Sequence, residues 1–246
     1  MIVSFYARST TIIGAQTESA IILGADSLIV DAGALDAQVG TKRYECKIAS
    51  AMNVVWAVQG LRGADFPSGR RFNVDEIASQ AIKGGGNLEA RIDAFKNLVL
   101  PPLYYTLRGI RQAQPENFKA MDGKAILEIV FAAFDGGRTV LTKRSFEVRI
   151  SGPDFTIEPV KNDGRPGQIL TAGYIEALQA WFKKPPPNWK PTADWLFQII
   201  SREEKINSNV GGEISIVTID KTGSHWNRRG ACSQKNNSPE VPSQWR

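Results

Sequence analysis

The chain has 246 residues, 42% of them hydrophobic and 22% charged, which is enough apolar material for one large domain or two small ones. Its net charge is +5, but Arg228, Arg229, Lys235 and Arg246 against Glu240 place +3 of this in residues 226–246, a polar tail, so nucleic-acid binding is not expected. No apolar run approaches the ~18 residues of a membrane span, and MIVSFYARS lacks the basic and apolar regions of a secretory signal. Cys46 and Cys232 are far apart and fit no metal or disulfide pattern, so a reducing cytoplasm is the expected compartment.

Along the chain, residues 10–26 read TTIIGAQTESAIILGAD. Two short apolar segments flank the polar turn Thr17-Glu18-Ser19, which predicts a hairpin over 11–16 and 20–25. Thr10 and Asp26 would then meet at one end of a buried ribbon. Residues 27–46 predict a short strand and a loop. Residues 48–58 predict one long strand or a pair, broken afterwards by Gly60, Gly63, Pro67 and Gly69. Helices are expected at 74–83 and 88–112. In the second, Leu88, Ile92, Phe95 and Val99 recur at helical spacing, and Pro101-Pro102 should kink or split it.

From residue 125 the period changes. Residues 125–135 and 139–151, joined at Gly136-Gly137, predict an antiparallel pair, and FTIEPV and GQILTAG add short strands. Residues 174–183 put Tyr174, Ile175, Leu178, Trp181 and Phe182 on one helical face. PPPNWKP is a rigid connector, and Thr192 is a candidate cap for a helix through Ile206. GGEISIVTID and SHW close with strands. Strands, helices, strands, helices and strands in that order argue for an α+β fold of antiparallel sheets with segregated helices, not a doubly wound parallel sheet.

A threonine hydroxyl needs a base to act as nucleophile near pH 7, and the amine of the same residue can supply it once that residue is the N-terminus. A neighbouring lysine lowers the pKa of such an amine, and an aspartate holds the lysine. Lys47, in CKIA before MNVVWAV, completes this set with Thr10 and Asp26. Taken singly, each has a bland reading: Thr10 as a strand residue, Asp26 as a turn residue, Lys47 as an edge lysine. The six tryptophans read as core or subunit interface. His225 is the single histidine, and no metal-ligand cluster exists, so no metal or cofactor is expected.

Threonine, aspartate and lysine in this order resemble the catalytic β-type subunits of the proteasome and the related bacterial ring peptidase. TT, the hydrophobic strand and A-D-S match the family without a gap from Thr10 to Asp26. The resemblance makes Thr10 the nucleophile, with Asp26 orienting Lys47, after about five extra residues in the intervening loop. It puts GLRGAD (60–65) on the family's oxyanion turn, with Leu61 in place of the donor glycine, and Gln59 on the specificity pocket. GGEISIVTIDKTG resembles the closing strand. The likeness covers residues 10–65 well and 168–228 weakly. The chain departs from the pattern where Ser9 replaces the glycine before the nucleophile, where Ala172 replaces a serine, and where Asn207 and Val210 replace an aspartate and a serine.

The resemblance implies an N-terminal-nucleophile αββα four-layer sandwich over residues 10–229 and a propeptide at 1–9; residues 230–246 read from their own composition as a flexible tail. It implies peptide hydrolysis by Thr10 after autoprocessing, assembly into a ring or double ring, peptide or unfolded-protein substrates, and room for an unfolding partner. A processing-defective ring or partner-binding subunit is the second expectation. An amidase acting on a small amide is the third.

Overall fold

The computed structural model describes residues 4–8, 10–30, 42–65, 71–183 and 189–233. Two antiparallel sheets dominate, with helices segregated from them, so the fold is α+β and consistent with a sandwich. The larger sheet runs β1 (Ser4–Arg8), β7 (Val54–Asp65), β9 (Ala125–Asp135), β10 (Arg138–Ser151) and β11 (Asp154–Asp163). Two short strands, β6 (Ile48–Ala51) and β8 (Arg71–Asn73), also pair with β7. The smaller sheet runs β12 (Ile169–Gly173), β2 (Thr11–Gln16), β3 (Ala20–Ala25), β13 (Ser215–Asp220) and β14 (Gly223–Arg228). A separate ribbon joins β4 (Leu28–Val30) to β5 (Lys42–Tyr44).

The strands are apolar on both faces because both faces are covered. Val54, Trp56 and Val58 pack against α1 (Val74–Lys83) and α2 (Leu88–Ala113), while Val55 and Ala57 face the smaller sheet. Ile12 likewise points between the sheets, and Ile13 points to the helices α4 (Glu176–Phe182) and α5 (Ala193–Ile206). A strand's side chains alternate by face, so one register error would turn each of these sets the wrong way. Phe95 of α2 lies edge-on to Phe131 and Phe146, with centroids 5.5 and 6.1 Å away, and is fully buried. Burying such a ring stabilises by about 2–3 kcal/mol.

Helix starts follow local chemistry. Asn73 accepts from the amides of Asp75 and Glu76, Asn87 from that of Ala90, and Thr192 from that of Trp195, as its sequence position suggested. A short helix not expected from the sequence, α3 (Pro115–Lys119), follows α2 with Pro115 in its first turn.

Several expectations need correction. Pro101 and Pro102 do not split α2, which is continuous over 26 residues. The buried stripe Phe95, Val99, Leu103 and Leu107 carries through both prolines, and packing outweighs the lost helical bonds. Gly60 and Gly63 do not end a strand either. β7 passes through both, and at Gly60 (φ 88°) a β-carbon would sit 2.3 Å from the Ile126 carbonyl oxygen. Residues 48–58 form the pair alternative, β6 and the start of β7, turning at Met52 (φ 53°).

Cys46 and Cys232 are disulfide-bonded across 186 positions, so the ground for expecting a reducing compartment is gone. Residues Gly230–Ser233, taken as flexible tail, form a 3-10 turn carrying that bond. The rest of the expected tail, 234–246, lies outside the described residues. Trp181, Trp189 and Trp195 pack on one another at 4.7–5.4 Å between centroids, filling space between α4 and α5. Among the described residues, no helix is long and apolar enough to cross a membrane.

Candidate active site

The β2–β3 hairpin pairs Ile12 with Ala25 and Gln16 with Ile21, so its open end brings Thr10 and Thr11 beside Asp26. Lys47 arrives from the other sheet, one residue before β6. All three candidate residues are buried, Thr10 fully and Asp26 and Lys47 at 1% exposure.

The three residues contact one another directly. The Thr10 hydroxyl donates to Asp26 Oδ1. Lys47 Nζ donates to Thr10 Oγ at 2.7 Å and to Asp26 Oδ1 at 3.1 Å. Asp26 also accepts from the Thr11 amide at 2.8 Å and, through Oδ2, from the Gly211 amide at 3.1 Å. Charge-assisted bonds of this kind offset the cost of burying the carboxylate. Burial lowers the Lys47 pKa to about 8, against the opposing pull of Asp26 and Glu45. A substantial neutral fraction near pH 7–8 makes this amine a usable base.

The backbone of Thr10 is fixed from the far side. The Tyr174 amide donates to the Thr10 carbonyl at 2.9 Å, and the Thr11 hydroxyl donates to the Tyr174 carbonyl at 2.8 Å. Gly173 (φ 80°) permits this approach, since a β-carbon there would lie 1.8 Å from the Thr10 carbonyl oxygen. Gly173→Ala is therefore expected to displace Thr10 and lower thermal stability by several degrees. A melt combined with the intact mass checks both effects.

Gln59 and Leu61 lie on β7. Gln59 Cγ stands against Gly173, and its Oε1 has no hydrogen-bond partner among the described residues. The Leu61 side chain points into the helix-side core, which leaves the strand's backbone on the side of β1. That neighbour is the chain's own N-terminal segment. β1 runs antiparallel to β7, with Arg8 opposite Gly60, Ala7 opposite Leu61 and Ser4 opposite Asp65. The residues before Thr10 thus occupy the strand edge that GLRGAD offers. Ser9 lies outside the described residues.

The substituted supporting positions are placed as follows. Ala172 is buried between the sheets and brings no hydroxyl. Asn207 ends α5, where its side chain accepts from the Asn209 amide at 2.9 Å. Val210 is buried and leads into Gly211. What sequence reasoning missed is the Gly211 amide, because a backbone donor has no residue signature. The adjacent Gly-Gly was the one hint of a close approach. In comparison with known proteins, no family model matches this chain, and no curated protein matches it.

Proposed function

We propose that this protein is a threonine peptidase of the proteasome-like, N-terminal-nucleophile type, with its four layers in the αββα arrangement. The observation that carries the reading is the contact of Thr10 Oγ with both Lys47 Nζ, at 2.7 Å, and Asp26. A hydroxyl that donates to a carboxylate and meets a lysine of lowered pKa is arranged for proton removal.

In the uncut chain the Thr10 nitrogen is part of a peptide bond and cannot serve as base. Neutral Lys47 takes the hydroxyl proton, Oγ attacks the Ser9 carbonyl carbon, and the Ser9–Thr10 C–N bond breaks as an ester forms, the nitrogen leaving as an amine with the proton that Lys47 had taken. Water then opens the ester and releases residues 1–9. The freed amine, with an ordinary pKa of about 8, becomes the base for further substrates, and Asp26 keeps Lys47 in place. A backbone amide of the 60–65 segment would stabilise the oxyanion. The β1–β7 pairing supports an extended polypeptide as substrate, because any such strand could pair in the same way once residues 1–9 leave. Assembly into a ring, and action without cofactor, belong to the same proposal.

The direct test is the intact mass of the purified protein. Loss of MIVSFYARS supports the reading, and an assembled particle that always begins at Met1 or Ile2 overturns it. That result would favour the second reading, a non-catalytic subunit, which the missing hydroxyls at Ala172 and Val210 already favour. The cut should also depend on pH. Protonated Lys47 cannot accept the proton, so its rate should rise about tenfold per unit at acidic pH and level off above about 8. A time course of intact mass after a pH jump reads this directly, and a flat profile removes Lys47 as the base. For assembly, sedimentation showing only a 27.0 kDa species at micromolar concentration would count against rings.

A further inference from the structure

The Cys46–Cys232 bond crosses the seam on which the candidate site depends. Lys47 belongs to the larger sheet, through β6, whereas Thr10 and Asp26 belong to the smaller one. Cys46 is the residue before Lys47. Cys232 sits in the 3-10 turn after β14, and its amide donates to the Arg229 carbonyl at 2.8 Å. That carbonyl also accepts from Ser215 Oγ at 2.7 Å, and Ser215 pairs with Ala25, the neighbour of Asp26. The bond therefore ties the segment that carries Lys47 to the strand beside β3, whose last residue, Ala25, precedes Asp26.

Other contacts also hold this segment, among them the Lys47 bonds to Thr10 and Asp26 themselves. The Glu45 amide donates to the Ser27 carbonyl at 3.0 Å, and the Arg62 guanidinium reaches the Cys46 carbonyl only at 3.4 and 3.5 Å. Ladder pairing with β7 begins at Ile48, after Lys47.

We infer that Cys46 and Cys232 are a positioning pair: their bond holds Lys47 against Thr10 and Asp26, and opening it lets the 45–47 segment draw back from the smaller sheet. Opening is thiol–disulfide exchange with two equivalents of a small thiol. One thiolate attacks a cysteine sulfur and forms a mixed disulfide, and a second thiolate resolves it. Two electrons and two protons pass to the protein cysteines, and the small thiols leave as their disulfide. The effect on Lys47 stands without any enzymatic activity. The effect on cutting rests on the function proposed above.

The test follows the Lys47 titration by NMR of isotope-labelled lysine in the full chain, for the oxidised protein, for the protein reduced with dithiothreitol, and for Cys232→Ser. Among the groups that face Lys47 are Asp26 and the Thr10 hydroxyl from the smaller sheet and Glu45 from its own segment. With the bond closed, Lys47 titrates near 8. With the bond open, water reaches the amine and its pKa rises by about one unit or more towards the ordinary lysine value. The Ser9–Thr10 cut slows about tenfold or more, as expected for a displaced catalytic group.

A bridge with only a structural role would lower the melting temperature and leave the titration of the still-folded molecule unmoved. If Cys232→Ser does not fold, the reduced wild type below its melting temperature carries the comparison. An unchanged Lys47 titration, with both thiols shown free by alkylation, overturns the inference. If the titration moves but neither form is ever cut, the positioning role stands and the peptidase reading falls.

Discussion

Thr10→Ala is expected to leave residues 1–9 attached in every molecule and to abolish peptide hydrolysis, while the fold and any assembly persist. The methyl side chain has no oxygen to attack the Ser9 carbonyl, so the cut loses its nucleophile outright and not merely some efficiency. The structural loss is small by comparison. Asp26 keeps the amides of Thr11 and Gly211 and the Lys47 ammonium, and the Thr10 carbonyl keeps the Tyr174 amide. Removing one hydroxyl from a network that stays otherwise satisfied costs on the order of 1–2 kcal/mol. Thr10→Ser, which retains an oxygen at the same carbon, should still cut, more slowly. Intact mass and a fluorogenic peptide assay separate the three proteins. An alanine variant that begins at residue 10, or that hydrolyses peptide at the wild-type rate, would remove Thr10 from the mechanism.

Replacing Lys47 should have the second largest effect. Lys47→Ala takes away the base for the first cut and the charge that tunes the freed amine. A loss of about 10²–10⁴ in rate follows from removing a positioned acid–base group. Stability also falls, because breaking a buried ion pair costs about 3–5 kcal/mol when the partner charge is left behind. The loss here sits at or below that range, since Asp26 retains two amides and the Thr10 hydroxyl.

Lys47→Met, which fills more of the space without charge, should melt higher than Lys47→Ala and cut equally slowly. Lys42→Ala, on β5, is the control and should process like wild type. If Lys47→Met folds and cuts at the wild-type rate, the assigned role of this lysine is wrong.

Several features were legible in the chain alone because they depend on neighbours in sequence. The β2–β3 hairpin, the joining of β9 to β10 at Gly136-Gly137 and the start of α5 at Thr192 are local events, set by alternation, turn residues and a capping hydroxyl. The meeting of Thr10 with Asp26 was also legible, since a tight hairpin fixes the distance between its ends. Residue order placed Lys47 near them only through a family resemblance. Nothing local requires a residue of the larger sheet to face an end of the smaller one.

Other features needed the tertiary structure because they are contacts between segments distant in sequence. Packing of the Phe95–Leu107 stripe carried α2 through two prolines against its local preference. Pairing with β9 and β1 carried β7 through Gly60, where the close Ile126 carbonyl leaves no room for a side chain. The Gly211 amide reached Asp26 across 185 positions with only its backbone, and two cysteines with no shared spacing met across 186. The sequence by itself thus determined which chemical groups are available and which hairpin presents the threonine. Only the packing of one sheet on the other decided that a lysine is buried against that threonine, because burial and dielectric belong to the assembled layers and not to any single segment.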